Sequence, residues 1–103
     1  PMDKEAVIEK LNEYVNLVRE HFPVQKVILF GSYAKGTARE YSDIDVAVIV
    51  DKIDDILESE YKLYELRRDI DEMIEPLIFE ANSSDPSGFL EEIQKTGEVI
   101  YSV

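Results

Sequence analysis

The chain has 103 residues, enough for one domain whose modest core needs no covalent staples. It contains no cysteine, which excludes disulfides and thiolate zinc sites, and it has neither an apolar run of membrane-span length nor a signal-peptide core, so a soluble, cytoplasmic protein is expected. With 23 acidic against 11 basic residues the net charge is -12, a field that repels polyanions and disfavours nucleic acid as a partner; it suits a metal-dependent site or a basic protein partner, or simply keeps the chain in solution.

Pro1 in front of Met2 reads as a processing remnant, so the domain is taken as residues 2–103. Residues 3–21 carry Val7, Leu11, Tyr14, Val15 and Val18 at helical spacing between Glu and Lys, which predicts an amphipathic helix that ends before Pro23. Lys26–Phe30 reads as a short buried strand, Tyr33–Ala38 as a brief helix, and Asp43–Val50, rich in β-branched residues, as a second strand. Ile53, Ile56, Leu57, Tyr64, Leu66, Ile70 and Met73 mark one long charged helix. Glu75–Glu80 is a third strand, and Pro76 within it removes a ladder donor, which restricts it to an edge or a bulge. Asp85 and Pro86 predict the N-cap and first position of a last helix with Phe89, Leu90 and Ile93; Gly97 closes it at C′, and Val99–Tyr101 adds a short edge strand.

The resulting order is α-β-α-β-α-β-α, an α+β domain. The segment between the first two strands is too short for a parallel crossover, which needs about a dozen residues including its helix. Those strands are therefore expected to be antiparallel neighbours in a small mixed sheet with helices mainly on one face.

The chemistry concentrates in residues 30–45. Gly31 after an apolar strand lets the backbone turn closely beneath a ligand, and Ser32 can offer a hydroxyl as well as main-chain donors to a phosphate. This is no P-loop, because Gly-Lys-Ser/Thr is absent. Asp43 and Asp45 alternate with Ile44 and so share a strand face, about 7 Å apart along the chain. Two such carboxylates repel each other and suit a hard cation such as Mg²⁺. Each half alone is weak: Gly-Ser is an ordinary turn, and Asp-x-Asp an ordinary exposed strand start. Lys35 and Arg39 could reach phosphates or simply be solvated loop cations; His21 sits at a helix end, where one imidazole makes no metal site. Tyr14, Tyr61 and Tyr64 at helical spacing are read as core or groove residues.

Together, Phe30-Gly31-Ser32 and, ten residues further on, Asp43-Ile44-Asp45-Val46 form a specific pattern. With it, and with Ala34-Lys35-Gly36 between, the chain resembles the minimal nucleotidyltransferases of the DNA polymerase β superfamily over nearly its whole length. The resemblance implies that Asp43 and Asp45 hold two Mg²⁺ ions on a nucleoside triphosphate, with Gly31, Ser32 and Lys35 on its phosphates. It implies a third carboxylate on the next strand that binds metal and helps deprotonate the attacking hydroxyl; Glu75 is the candidate, with Asp71, Glu72 and Glu80 as alternatives. It further implies transfer of AMP from ATP to a hydroxyl of a partner protein, in the setting of an antitoxin paired with a small all-helical HEPN protein. The alternative is a binding module that neutralises its partner by contact alone.

Overall fold

The computed structural model describes residues 2–103; Pro1, read above as a remnant, lies outside them. Helix α1 (Lys4–Arg19) is capped by Asp3, whose carboxylate accepts the N–H of Ala6 at 2.9 Å. Strand β1 (Val24–Phe30) leads through Gly31 into α2 (Ser32–Lys35), and β2 (Ile44–Val50) follows after the motif loop. Then come α3 (Ile56–Arg67), β3 (Ile74–Glu80), α4 (Phe89–Thr96) and β4 (Glu98–Ser102).

The strands form one mixed sheet in the order β3-β2-β1-β4. β1 and β2 are antiparallel, as the short connection demands, and β4 is antiparallel to β1 on the far edge. β2 and β3 are parallel, because residues 51–73 include a helix long enough to return the chain to the same end of the sheet. Pro76 lies in β3 on the opposite edge, where its missing N–H breaks no ladder on the outer side.

Alternation along the strands divides the core in two. Val27 and Leu29 of β1, Ile44, Val46, Val48 and Val50 of β2 and Ile74 of β3 face the layer of α1 and α3, where they meet Val7, Leu11, Tyr14, Val18 and Leu63. The other face carries Ile28, Ala47 and Ile49, covered by Ile93 and Leu90 of α4. β2 is thus buried on both faces, which explains its nearly unbroken apolar run. Asp45 interrupts the run on the α4 side, opposite Phe30 of β1. Tyr14, fully buried, satisfies its hydroxyl by donating to the carbonyl of Leu63 at 2.7 Å and thereby ties α1 to α3.

Several boundaries differ from the sequence expectation. The long helix is shorter: Asp55 caps α3 by accepting the N–H of Glu58, which leaves Ile53 outside, and turns after Arg67 carry Ile70 and Met73 onto the core without helix. α2 begins at Ser32 itself and ends at Lys35. Asp85-Pro86 does not open the last helix. Asp85 starts a turn, and its carboxylate accepts from the N–H of Ser87 and, at 2.8 Å, of Leu90, while Gly88 at φ 76 is the N-cap. Gly97 is not a left-handed C′ residue, for its φ is -81. Glycine is required there by contact: a Cβ would lie 2.5 Å from Cγ2 of Ile28 and 2.8 Å from the carbonyl oxygen of Leu29. Gly97→Ala is expected to cost about 1–3 kcal/mol of stability, read as a lower urea midpoint at unchanged slope.

Asp71 joins the turn before β3 to α1: it accepts the N–H of Met73 at 2.8 Å and pairs with Lys10 at 3.0 Å. Burial pushes its carboxyl up, but the Met73 amide and Lys10 together outweigh burial and hold it below the usual carboxylate range. The stabilisation it gives is present above the unfolded-state value, about 3.9, and is lost as pH falls through the lower folded value. Asp71→Asn keeps the amide acceptor and loses the ion pair. It should cost about 0.5–1 kcal/mol at pH 7, with the difference from the parent closing in chemical unfolding as pH falls through the lowered folded value.

Candidate active site

The site lies where the end of β1 meets the starts of β2 and β3. Asp45 stands opposite Phe30 in the antiparallel ladder and opposite Glu75 in the parallel one. Register therefore places Glu75 on the same sheet face as Asp45, one strand spacing away, about 4.8 Å between backbones. Gly31 has φ 75 and ψ -152, a region open essentially to glycine alone. A Cβ on Gly31 would sit 2.2 Å from Oδ2 of Asp45. The two halves of the motif thus touch: the turn passes directly against the second aspartate, with no room for a side chain. Beyond it, the first turn of α2 leaves the N–H groups of Ser32, Tyr33 and Ala34 without acceptors inside the helix.

The electrostatics match this crowding. Burial pushes the Asp45 carboxyl above its ordinary range, and the negative charges of Asp43 and Glu75 push it further. Asp43 itself is exposed just before β2. Glu75 is half-exposed; its Oε2 accepts the hydroxyl of Tyr64 at 2.9 Å, and Arg67 lies 3.7 Å from its Oε1. Among the described residues no three acidic or histidine side chains meet as closely as the ligands of a closed metal cage. The donor set nevertheless fits Mg²⁺: three carboxylates, hard oxygen ligands only, whose mutual repulsion a divalent cation would relieve.

Of the alternatives for the third carboxylate, Asp71 and Glu80 are engaged elsewhere. Asp71 is paired with Lys10. Glu80, five positions after Glu75 and so on the other sheet face, accepts the N–H of Ile53 at 2.8 Å. Glu72 is exposed in the turn before β3. Lys35 ends α2 as an exposed cation. A cleft of about 590 Å³ lined by residues including His21, Phe22, Tyr61 and Lys62 contains none of the site residues.

Of the three tyrosines read as core or groove residues, Tyr14 is core, Tyr61 is exposed on α3 and Tyr64 reaches the site. Arg67, which the sequence reading did not single out, stacks on the Tyr64 ring at 4.7 Å and donates to the carbonyls of Glu72 and Ile74. Spacing alone does not reveal these contacts, because they cross from helix to strand.

The sequence profile described as polymerase beta, nucleotidyltransferase, matches residues 9–103. The chain is 33% identical over 79 residues to MJ0141 of Methanocaldococcus jannaschii, covering 72% of this chain and 76% of that one. It is 45% identical over 47 residues to the protein adenylyltransferase MntA of Shewanella oneidensis, over 44% of this chain and 34% of MntA. The match to MJ1305 of M. jannaschii, 44% identical over 50 residues, covers 47% of this chain and likewise only 34% of the relative's length. In fold it is similar to a Sulfolobus solfataricus chain solved at 1.40 Å (TM-score 0.69, 19% identity, 97% and 84% covered). It is also similar in fold to a chain of a toxin-antitoxin complex with AMP-PNP (0.63, 24%, 89% and 73%). A third likeness is to a chain in the complex of tri-AMPylated S. oneidensis HEPN toxin with MNT antitoxin (0.63, 20%, 99% and 74%). With nearly all of the chain inside the profile, and the Gly-Ser turn seated against the Asp-x-Asp strand, the protein belongs to the polymerase β-type nucleotidyltransferase family.

Proposed function

We propose that this protein is a Mg²⁺-dependent nucleotidyltransferase that moves AMP from ATP onto a hydroxyl of a partner protein, acting as the antitoxin of a HEPN-type pair. The observation that carries the reading is the seat of Gly31 against Oδ2 of Asp45, with Asp43 and Glu75 charging the same spot. A structural turn needs no such contact, whereas a phosphate brought to metal-binding carboxylates does.

In this reading the main-chain donors after Gly31 and the Ser32 hydroxyl hold the outer phosphates, with Lys35 as a further cation. Asp43, Asp45 and Glu75 would hold two Mg²⁺ ions, which when bound neutralise the triphosphate and favour the alkoxide of the acceptor. Glu75 takes the proton of the attacking hydroxyl. The acceptor oxygen bonds to the α-phosphorus, the α–β bridging bond breaks, and pyrophosphate leaves. Such a site works by positioning and charge neutralisation, not by a covalent enzyme intermediate. The named adenylyltransferase relatives and the AMPylated toxin complex support AMP and a protein acceptor as the assignment.

The test is incubation with α-phosphate-labelled ATP, Mg²⁺ and the co-expressed helical partner. Label on a partner hydroxyl, with none when EDTA is added, is the expected result. No label with any of the four nucleotides defeats the reading.

A further inference from the structure

We propose that Tyr64 and Arg67 of α3 are positioning residues that fix the Glu75 carboxylate at the edge of the sheet, ready to take up a divalent cation. The inference rests on the reading of Glu75 as the third carboxylate. β3 is an edge strand, so within the sheet Glu75 has a neighbouring strand on its inner side only, where Asp45, a like charge, stands opposite it in the ladder. A glutamate in that setting would swing toward solvent unless something held it. The hold comes from one face of α3, where positions three apart are neighbours. The Tyr64 hydroxyl donates to Oε2 at 2.9 Å. Arg67 lies flat on the Tyr64 ring at 4.7 Å and donates to the carbonyls of Glu72 and Ile74, the latter at 2.9 Å. One guanidinium thus clips the last turn of the helix to the start of the strand that bears Glu75, and fixes the ring that fixes the carboxylate. Arg67 also pairs with Oε1 at 3.7 Å, a charge contact too long to be a hydrogen bond. A purely structural tether between α3 and β3 needs the Arg67–carbonyl contacts but not the Tyr64 hydroxyl. That difference can be measured.

The experiment titrates Mn²⁺ against the protein with ATP, read by electron paramagnetic resonance, for the parent, Tyr64→Phe, Glu75→Gln and Tyr61→Phe, each also melted. Tyr64→Phe keeps the ring and its stack and deletes one donor. It is expected to weaken Mn²⁺ uptake roughly tenfold with its melting temperature unmoved. Glu75→Gln weakens uptake in the same sense, and Tyr61→Phe, exposed on the same helix, does not. Where transfer is measured, kcat of Tyr64→Phe falls while KM for ATP stays within about twofold. Mn²⁺ uptake by Tyr64→Phe equal to or tighter than that of the parent overturns the proposal. Unaltered uptake by Glu75→Gln removes Glu75 from the metal site and overturns it as well. A parent that binds Mn²⁺ with ATP but labels no acceptor counts against the transfer reaction alone.

Discussion

Asp45→Asn is expected to lower transfer of labelled AMP by at least about a thousandfold, and Asp43→Asn to do nearly the same, because removing a charge from the metal-binding set removes the neutralisation on which the reaction depends. The stability of Asp45→Asn should move the other way. Burial and the charges of Asp43 and Glu75 raise the Asp45 carboxyl above its unfolded-state value. The folded chain therefore binds that proton more tightly than the unfolded one, and without metal its stability falls as pH rises between the two values. Asparagine carries no charge to lose, so at pH 7 the metal-free variant should unfold at a urea concentration no lower than the parent. A variant that is inactive and at least as stable locates the defect in chemistry. A variant that retains transfer within about tenfold of the parent would leave the carboxylate set without its assigned role.

The second large effect belongs to Gly31. In Gly31→Ala the new methyl must displace the Asp45 carboxylate, 2.2 Å from the ideal Cβ position, or shift the turn that carries Ser32. Either movement separates the phosphate donors from the metal ligands, and misplacement of about 1 Å is enough to cost a factor of 100 in rate. Backbone strain at φ 75, ψ -152 adds about 1–3 kcal/mol of destabilisation. Gly36 supplies the control. It has the same φ of 75, but nothing lies within 4 Å of a Cβ placed there. Gly36→Ala should therefore cost only about 1 kcal/mol and keep most of the activity, since αL is strained but accessible to alanine. Equal loss of transfer in the two variants, measured at a temperature where both are folded, would mean that the contact with Asp45 is incidental.

Much of this arrangement was legible before any coordinates. The brevity of the segment between Phe30 and Ile44 required an antiparallel pair, and Pro76 required an edge or a bulge; the pair is antiparallel, and Pro76 lies on an edge strand, the one that bears Glu75. Period-two alternation placed Ile44, Val46, Val48 and Val50 against the helices and Asp45 on the opposite face. Where the reading went astray, local chemistry admitted two answers. Asp85-Pro86 is as good a turn opener as a helix start, and Asp85 still reaches the first turn of α4 by accepting from Leu90. Ile70 and Met73 are apolar because they pack on the core from turns, a need that helical periodicity cannot distinguish from its own. Gly97 was legible as a helix end, but its cause is Ile28, from a strand nearly seventy positions earlier.

By itself the sequence determined the strands, the antiparallel pairing of the first two and the family pattern, because these follow from spacing, alternation and loop length within a short stretch of chain. The sequence named Glu75 as the candidate third carboxylate, but only the β2–β3 register places it opposite Asp45, and only the tertiary structure shows which groups contact it. Tyr64 and Arg67 reach Glu75 only because α3 packs on β3, and long-range packing leaves no periodic trace in the segments it joins.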